Sequence, residues 1–471
     1  MSEGHWEIPA SWEWVPLETI AEINPKLPFD LEDEVDVSFL PMSNVEEETG
    51  KIDLSETRKY GKVKRGYTKF VNDDIIFAKI TPCMENGKVA ILKGLKNGVG
   101  FGSTEFHVIR MRDEFFLNRF YFYFFLQQWF RNLARQHFTG TVGHRRVPTN
   151  FIREVLVPIA PFTEQFRVVG TVEELFSQLD AGVRSFQTSQ SRLKKYRQTT
   201  LKQAYTGKLT EKWRQENHDI ESSFELFEKI KKELHKLPPQ RFSSNEIKID
   251  ELPRLPEKWS WNRIGDVFYV TLGQSPPSST YNEDGGGLPF FQGSKEFGVK
   301  YPKTEKWCSE PKKIAEKSDV LISVRAPVGD VNIATEKCCI GRGLASIRAL
   351  AGVNPVYIFH LIEFVRNDLK SKGTGTTFNA ITGNVLRGHI IPLPPLKEIN
   401  KIVELIEVNY SIFKHIQDNL IQSSIKSERM KQSILKKAFE GRLVPQNPDD
   451  EPADVLLKRI KAHKTKQMKL I

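Results

Sequence analysis

The residues best equipped for chemistry in this chain lie in short loops that mix glycine or proline with cations and hydrogen-bonding side chains. KITPCMENGK (Lys79 to Lys88) offers Lys79, Thr81, Asn86 and Lys88, and FTGTVGHRRV (Phe138 to Val147) offers Thr139, Thr141, His144, Arg145 and Arg146. A second set comprises Gln274, Ser275, Gln292 and Ser294, Arg325 in RAPVGD, Arg342 in IGRG, and Thr374, Thr376, Thr377 and Asn379 in KGTGTTFNAI. Glycine lets a backbone come close to a ligand. Lys and Arg complement phosphates, while Asn, Gln, Thr and Arg pair with the edges of bases. A single loop of this kind is more often a solvated turn, so its weight depends on whether it recurs.

Catalytic patterns are missing. Gly87-Lys88 is followed by Val89 and has no upstream glycine at phosphate-loop spacing. No NPPY- or DPPY-like tetrapeptide of an amino-methyltransferase occurs, Pro448-Asp449 has no downstream acid-x-Lys of a nuclease, and the ten histidines form no HExxH. Cys83, Cys308, Cys338 and Cys339 form no CxxC pair, which fits small core residues in a reducing compartment. A binding protein is expected, with no metal and no catalytic residue of its own. The net charge of +10 favours a polyanionic partner. The longest apolar run, Phe115 to Phe130, is interrupted by Asn118, Arg119, Gln127 and Gln128, so no membrane span is expected. The N-terminus has neither a basic region nor an apolar one, and the expected location is cytoplasmic.

The elements that must position these loops are written twice. IPASWEWVPLETIAEI (Ile8 to Ile23) matches LPEKWSWNRIGDVFYV (Leu255 to Val270), with Pro9, Trp12 and Trp14 on Pro256, Trp259 and Trp261 at an offset of 247. DDIIFAKITP (Asp73 to Pro82) matches SDVLISVRAP (Ser318 to Pro327) with Asp74 on Asp319, and the TGT of Thr139 to Thr141 matches that of Thr374 to Thr376. From Pro158 onward the offset holds at 234 without a gap, so LKQAYTGKL (Leu201 to Leu209) falls on LKKAFEGRL (Leu435 to Leu443). Each copy is therefore a globular part of variable length followed by a segment of fixed length. The tryptophans that open both copies are expected to be core anchors.

The fixed segments read as helices. Val169, Val172, Phe176, Leu179, Val183, Phe186 and Leu193 recur at 3-4 spacing, broken at Gln190, and Gly207 stands where a glycine would end the helix. The copy repeats this with Val403, Ile406, Tyr410, Phe413 and Leu420 and closes on Gly441, with a more polar seam beyond Leu420. Some 40 residues make roughly 60 Å of helix, too long to stand unpartnered. Residues 163–183 hold four acids against one base, and residues 184–206 hold six bases and no acid. An antiparallel pairing lays acidic against basic halves, and an intramolecular antiparallel coiled coil is the expectation.

The globular parts carry short β-rich runs and helical patterns around Phe116 to Arg135 and Pro355 to Lys370. The fold class is α+β: two α/β-mixed domains joined by two long helices, as a pseudo-twofold repeat. The expected divisions are 1–160 for the first domain, 161–212 for the first helix, 213–252 for a linker, 253–395 for the second domain, 396–441 for the second helix and 442–471 for a tail.

This order, with a PxxEQ helix start (Pro161 to Gln165), a helix ending in LKQAYTGKLTEKWR (Leu201 to Arg214), and a second ending in ILKKAFEGRLVPQNPDDEPADVLLKRIKA (Ile434 to Ala462), resembles the specificity subunits of type I restriction-modification systems. The ITPCMENGK and GTVGHRRV loops and the run from LPFFQGSKEFG to VRAPVGDVNIA (Leu288 to Ala334) also look like sequences of that family's target recognition domains. The resemblance covers essentially the whole chain, and one departure is Ile399 where the first copy has Gln165. It implies a DNA-binding subunit in which each domain reads one half of a bipartite target in double-stranded DNA. It also implies partners: two methyltransferase subunits that bind S-adenosylmethionine, and restriction/motor subunits that use ATP and Mg. None of these cofactors is expected on this chain. The helices, the stretch Phe224 to Glu233 and the tail Val455 to His463 are the expected docking surfaces. A coiled-coil scaffold with two peripheral interaction domains explains the repeat and seam but not the paired basic loops, and a self-sufficient DNA enzyme lacks its motifs.

Overall fold

A computed structural model describes residues 6–141, 144–242, 247–373 and 380–459. They fall into two compact units, one built from the chain up to Phe186 together with the chain from Ile421 onward, the other from Gln187–Leu420.

In the first unit the strand Glu13–Pro16 pairs antiparallel with Leu156–Ile159, closing the ends of the domain on each other. Between them lie two four-stranded sheets. One has the order Ala21–Ile23, Phe106–Met111, Ile75–Ala78, Val89–Ile91; the other has the order Thr57–Lys59, Asp36–Leu40, Val99–Gly102, Thr68–Val71, with its two central strands parallel. The second unit repeats the plan. Ser260–Arg263 pairs with Ile390–Leu393, one sheet runs Tyr269–Leu272, Leu344–Arg348, Val320–Ser323, Val331–Ile333, and the other has five short strands around the parallel pair Leu288–Phe291 and Cys338–Ile340. The aspartates aligned in the sequence do the same work in both: Asp74 is buried against Arg110 at 2.7 Å, and Asp319 against Arg348 at 2.9 Å.

The two long helices, Phe162–Tyr205 and Leu396–Phe439, each have 44 residues. Gly207 (φ +77) and Gly441 (φ +65) terminate them in the left-handed conformation that glycine tolerates best. The antiparallel pairing is present in each unit. In the first, Val168, Val169 and Val172 share a core with Leu435, Ala438 and Phe439. In the second, Leu201, Ala204 and Tyr205 share a core with Ile399, Ile402, Val403 and Ile406. The charge pattern is used differently from a simple seam of ion pairs. Asp180–Lys431 (2.8 Å) bridges helix to helix, but Arg119–Glu173 and Arg197–Glu363 tie a helix to its own domain.

Several expectations change in detail. The aromatic run forms two helices, Asn118–Leu126 and Gln128–Gln136, because Gln127 adopts an extended backbone (ψ 133) between them. The long helix ends at Tyr205, a short helix Glu211–Glu216 crosses the expected boundary at 212, and the stretch read as a linker contains the helix Ser223–Leu234, whose Leu226 and Ile230 enter the second core. Trp12 and Trp259 are buried anchors, whereas Trp14 and Trp261 are half-buried.

Each buried tryptophan donates its indole N–H to a buried glutamate in the first turn of a long helix: Trp12 to Glu164 at 2.9 Å and Trp259 to Glu398 at 2.8 Å. The chain that follows the opposite helix end completes each site. Gln446 reaches Glu164, while Thr210 and Arg214 reach Glu398. A buried carboxylate paired with Arg214 leaves an uncompensated cation when removed, so Glu398→Ala should cost about 3 kcal/mol. Glu164→Ala, whose neutral partners lose only hydrogen bonds, should cost about half of that. Urea unfolding of the full chain measures both, and equal losses would contradict the assignment.

Candidate nucleic-acid interface

The loop residues of the first domain converge. Val147 N–H donates to the Lys79 carbonyl at 2.9 Å, Thr81 N–H donates to the Arg145 carbonyl at 3.1 Å, and Ile80 bridges to Arg146, so the KITPCMENGK loop and the GTVGHRRV hairpin form one surface. Thr139 and Arg146 exchange backbone bonds at 3.0 and 2.9 Å and close the hairpin. Val142 and Gly143 lie outside the described residues.

The nominated side chains divide into supports and presented groups. Arg146 is held by two 2.8 Å hydrogen bonds to Glu105, whose carboxyl the guanidinium keeps below its ordinary range. Asn86 donates to Glu47 at 2.8 Å, Lys88 donates to the Met42 carbonyl at 3.0 Å, and Thr81 bonds Glu85. Those four groups shape the loops. Thr139, Thr141, His144 and Arg145 are exposed, and Lys79 is half-buried.

In the second domain five stretches meet. Gln274 N–H donates to the Ile340 carbonyl at 3.0 Å, Arg342 N–H to Ser275 Oγ at 3.2 Å, and Gly343 N–H to the Gln292 carbonyl at 3.1 Å. Val324 N–H then donates to Gly343, and Ile381 N–H donates to Val324, both at 2.9 Å. Glycine is required at Gly273, where a Cβ would come 2.1 Å from the Gly341 carbonyl oxygen. Gln274, Gln292, Arg325 and Arg342 are exposed around this cluster; Ser275 is half-buried, and Ser294 opens the short turn just beyond Gln292. Arg325 bridges to Ala380 as Ile80 does to Arg146, so the KGTGTTFNAI loop ends beside Arg325. Thr374, Thr376, Thr377 and Asn379 themselves lie outside the described residues. With Arg and Lys for phosphates and Gln and Thr for base edges, such a surface fits a polyanion with readable edges.

The supporting residues were invisible as functional residues in the sequence. Arg131, 3% exposed, braces the Glu85 carbonyl at 3.0 Å and pairs with Glu48 beneath the KITPCMENGK loop. In the second domain Ser323 accepts from Asp330 N–H at 2.9 Å and donates to the Pro327 carbonyl, folding the RAPVGD loop back on itself. His107 holds the hairpin through Nε2 and the Val147 carbonyl at 2.8 Å, and burial pushes its pKa down to about 4.

That histidine gives a pH dependence. The unfolded chain takes up the proton near 6.5 and the folded domain only near 4, so its contribution is complete above about 6.5 and is lost as pH falls towards 4. Between pH 7 and pH 5 the loss should be roughly 2 kcal/mol. His389, also pushed down to about 4 chiefly by burial, adds the same trend in the second domain. Urea unfolding at the two pH values should show the loss, and His107→Gln, which retains a donor for Val147, should be less acid-sensitive.

Known proteins resemble this chain along nearly its whole length. The family model for the type I restriction modification DNA specificity domain matches residues 256–423. A Methanocaldococcus jannaschii protein named as the MjaX type I restriction enzyme specificity subunit is 27% identical over 451 residues, covering 93% of this chain and 95% of that protein. The EcoEI specificity subunit of Escherichia coli is 32% identical over 337 residues, 61% of this chain and 56% of that one. Among solved structures, one described as the structural basis of complex assembly and conformational transition of the type I R-M system superposes with a TM-score of 0.72 at 30% identity, over 93% of this chain and all of that one. The HsdS subunit from Thermoanaerobacter tengcongensis gives 0.60 at 29% identity, over 94% of this chain and all of that one. With its duplicated domains, paired helices and near full-length matches, the chain belongs to the family of type I restriction-modification specificity subunits.

Proposed function

We propose that this chain reads a bipartite sequence in double-stranded DNA, one half-site per domain, on behalf of a type I restriction-modification complex. The observation that carries the reading is the duplication of the site. Two copies of one domain each bring a cation-bearing loop cluster together at the same place in the fold, and each copy is followed by a helix of the same length, 44 residues. The role is recognition. Methyl transfer with S-adenosylmethionine, and translocation and cleavage with ATP and Mg, belong to the partner subunits, and two methyltransferase subunits match the twofold repeat. Their docking surfaces are the helices, the exposed side of Ser223–Leu234 and the segment from Val455 onward, of which residues 460–463 lie outside the described residues. Phe224 and Val455 present apolar surface there, 67% and 43% exposed. The place of action is the cytoplasm, and no described helix is long and apolar enough to cross a membrane.

The presented and supporting arginines should behave differently. Arg145→Ala should weaken DNA binding and lower the salt slope by about one unit, since one phosphate contact is lost. Arg146→Ala should instead loosen the hairpin, lowering stability as well as affinity. Salt-dependent binding by the complex with its methyltransferase subunits, alongside thermal unfolding, separates the two; an unchanged slope for Arg145→Ala counts against the interface.

The helices should set the gap between half-sites. Inserting one heptad after Val183 and another at the equivalent position after Gln417 keeps the seam in register and lengthens each helix by about 10 Å, room for up to about three base pairs. Methylome sequencing of cells carrying this variant should show a wider gap between unchanged half-sites. Modified sites with the original gap would show that the helices do not measure distance.

A further inference from the structure

The first domain carries a basic surface outside the loop cluster. From Thr57 to Lys69 the sequence TRKYGKVKRGYTK holds six cations and no acid. Part of this charge is neutralised locally: Lys59 pairs with Asp36 at 3.2 Å, Lys64 with Asp33 at 2.7 Å, and Arg58 with Glu56 at 2.7 Å. Lys62, Arg65 and Lys69 have no side-chain acceptor among the described residues. Beside them Tyr67 stays 40% exposed in a fixed pose. Its ring meets Phe39 edge to face at 5.1 Å, and the Arg58 guanidinium lies 3.3 Å over the Phe39 ring and donates to the Tyr67 hydroxyl at 3.4 Å. With that oxygen accepting from Arg58, the hydroxyl's own proton is available to an outside acceptor.

Strand register says which way this surface belongs. Thr68 pairs with Gly102, Ser103 N–H donates to Leu40, and Glu105, three residues past Gly102, holds Arg146 of the loop cluster. Tyr67, next to Thr68, therefore lies at the sheet end from which the turn Ser103–Phe106 leads to Glu105 and the interface. At the matching place the second domain has no equivalent. Between the matching strands Trp307–Cys308 and Ile314–Ala315 it carries only Lys312 and Lys313 with Glu310, and no aromatic.

We propose that Arg65, Lys69 and the Tyr67 hydroxyl bind the sugar–phosphate backbone of the DNA flanking the first domain's half-site, a sequence-independent grip that the second domain lacks. The proposal rests on the DNA-reading function above and adds a one-sided footprint to it. The alternative, a merely solvated basic face, explains the charge but not a tyrosine held exposed by an arginine at the interface end of the sheet.

The test uses the full chain with its methyltransferase subunits and duplexes trimmed close to one half-site or the other, the half-sites being assigned by exchanging residues 253–390 for those of a relative. Trimming beside the first domain's half-site should weaken binding and flatten its salt dependence, while the same trimming beside the other half-site should change neither. The double variant Arg65→Ala/Lys69→Ala should lower the salt slope by about two units on long DNA, become insensitive to trimming, and leave the methylated sequence and the melting temperature unchanged. Equal sensitivity to trimming on both sides, or an unchanged slope in the double variant while Arg145→Ala still lowers it, overturns the one-sided grip. Absence of sequence-specific binding by the parent complex overturns the reading function, and the grip with it.

Discussion

Neither domain can finish its core with its own helix. Each core takes in the start of one long helix and the end of the other, and the indole–carboxylate bond at each helix start, Trp12 to Glu164 and Trp259 to Glu398, fixes the junction. Losing one turn would drag about 5 Å of buried apolar surface out of register at one end or the other. That constraint gives a physical reason for the constant offset of 234 from Pro158 onward, in a protein whose loops drift freely before it. A helix clamped at both ends cannot absorb an insertion unless its partner lengthens by the same number of turns.

Much of this was legible because repetition exposes it. The period, the glycines that end the helices, the acid-to-base tilt and the pairing of Asp74 with Asp319 are patterns that a chain reveals when laid against itself. The buried partners are different. Nothing local marks Glu105 as the acceptor that holds Arg146, or Arg131 as the brace beneath Glu85, because those partners come from distant strands and helices. Phosphate-binding and structural arginines look alike until their surroundings are known.

The departure at Ile399 has a similar explanation. Gln165 hydrogen-bonds Leu117 N–H, the Phe115 carbonyl and the Ala160 carbonyl, steadying the entry to a helix that lacks a capping side chain. In the second domain Asn354 caps the corresponding helix itself, accepting from Val356 N–H at 3.0 Å, and Ile399 is free to be fully buried. The two copies solve one backbone problem with different residues, so the sequence difference does not signal a functional one.

The segment beyond Gly441 also bears on how the molecule is made. Val444, Ala453 and Leu456 are buried in the first domain's core, Ala453 N–H donates to the Ser11 carbonyl at 2.9 Å, and Asp450 pairs with Arg167. The second unit needs only the continuous stretch from Gln187 to Leu420. A nascent chain leaving the ribosome thus holds everything its second domain requires before it holds everything required by its first, the reverse of the usual order. The domain that begins translation is the last to close, and a transcript cut short near its 3′ end would yield a chain whose damage lies in the part synthesised earliest.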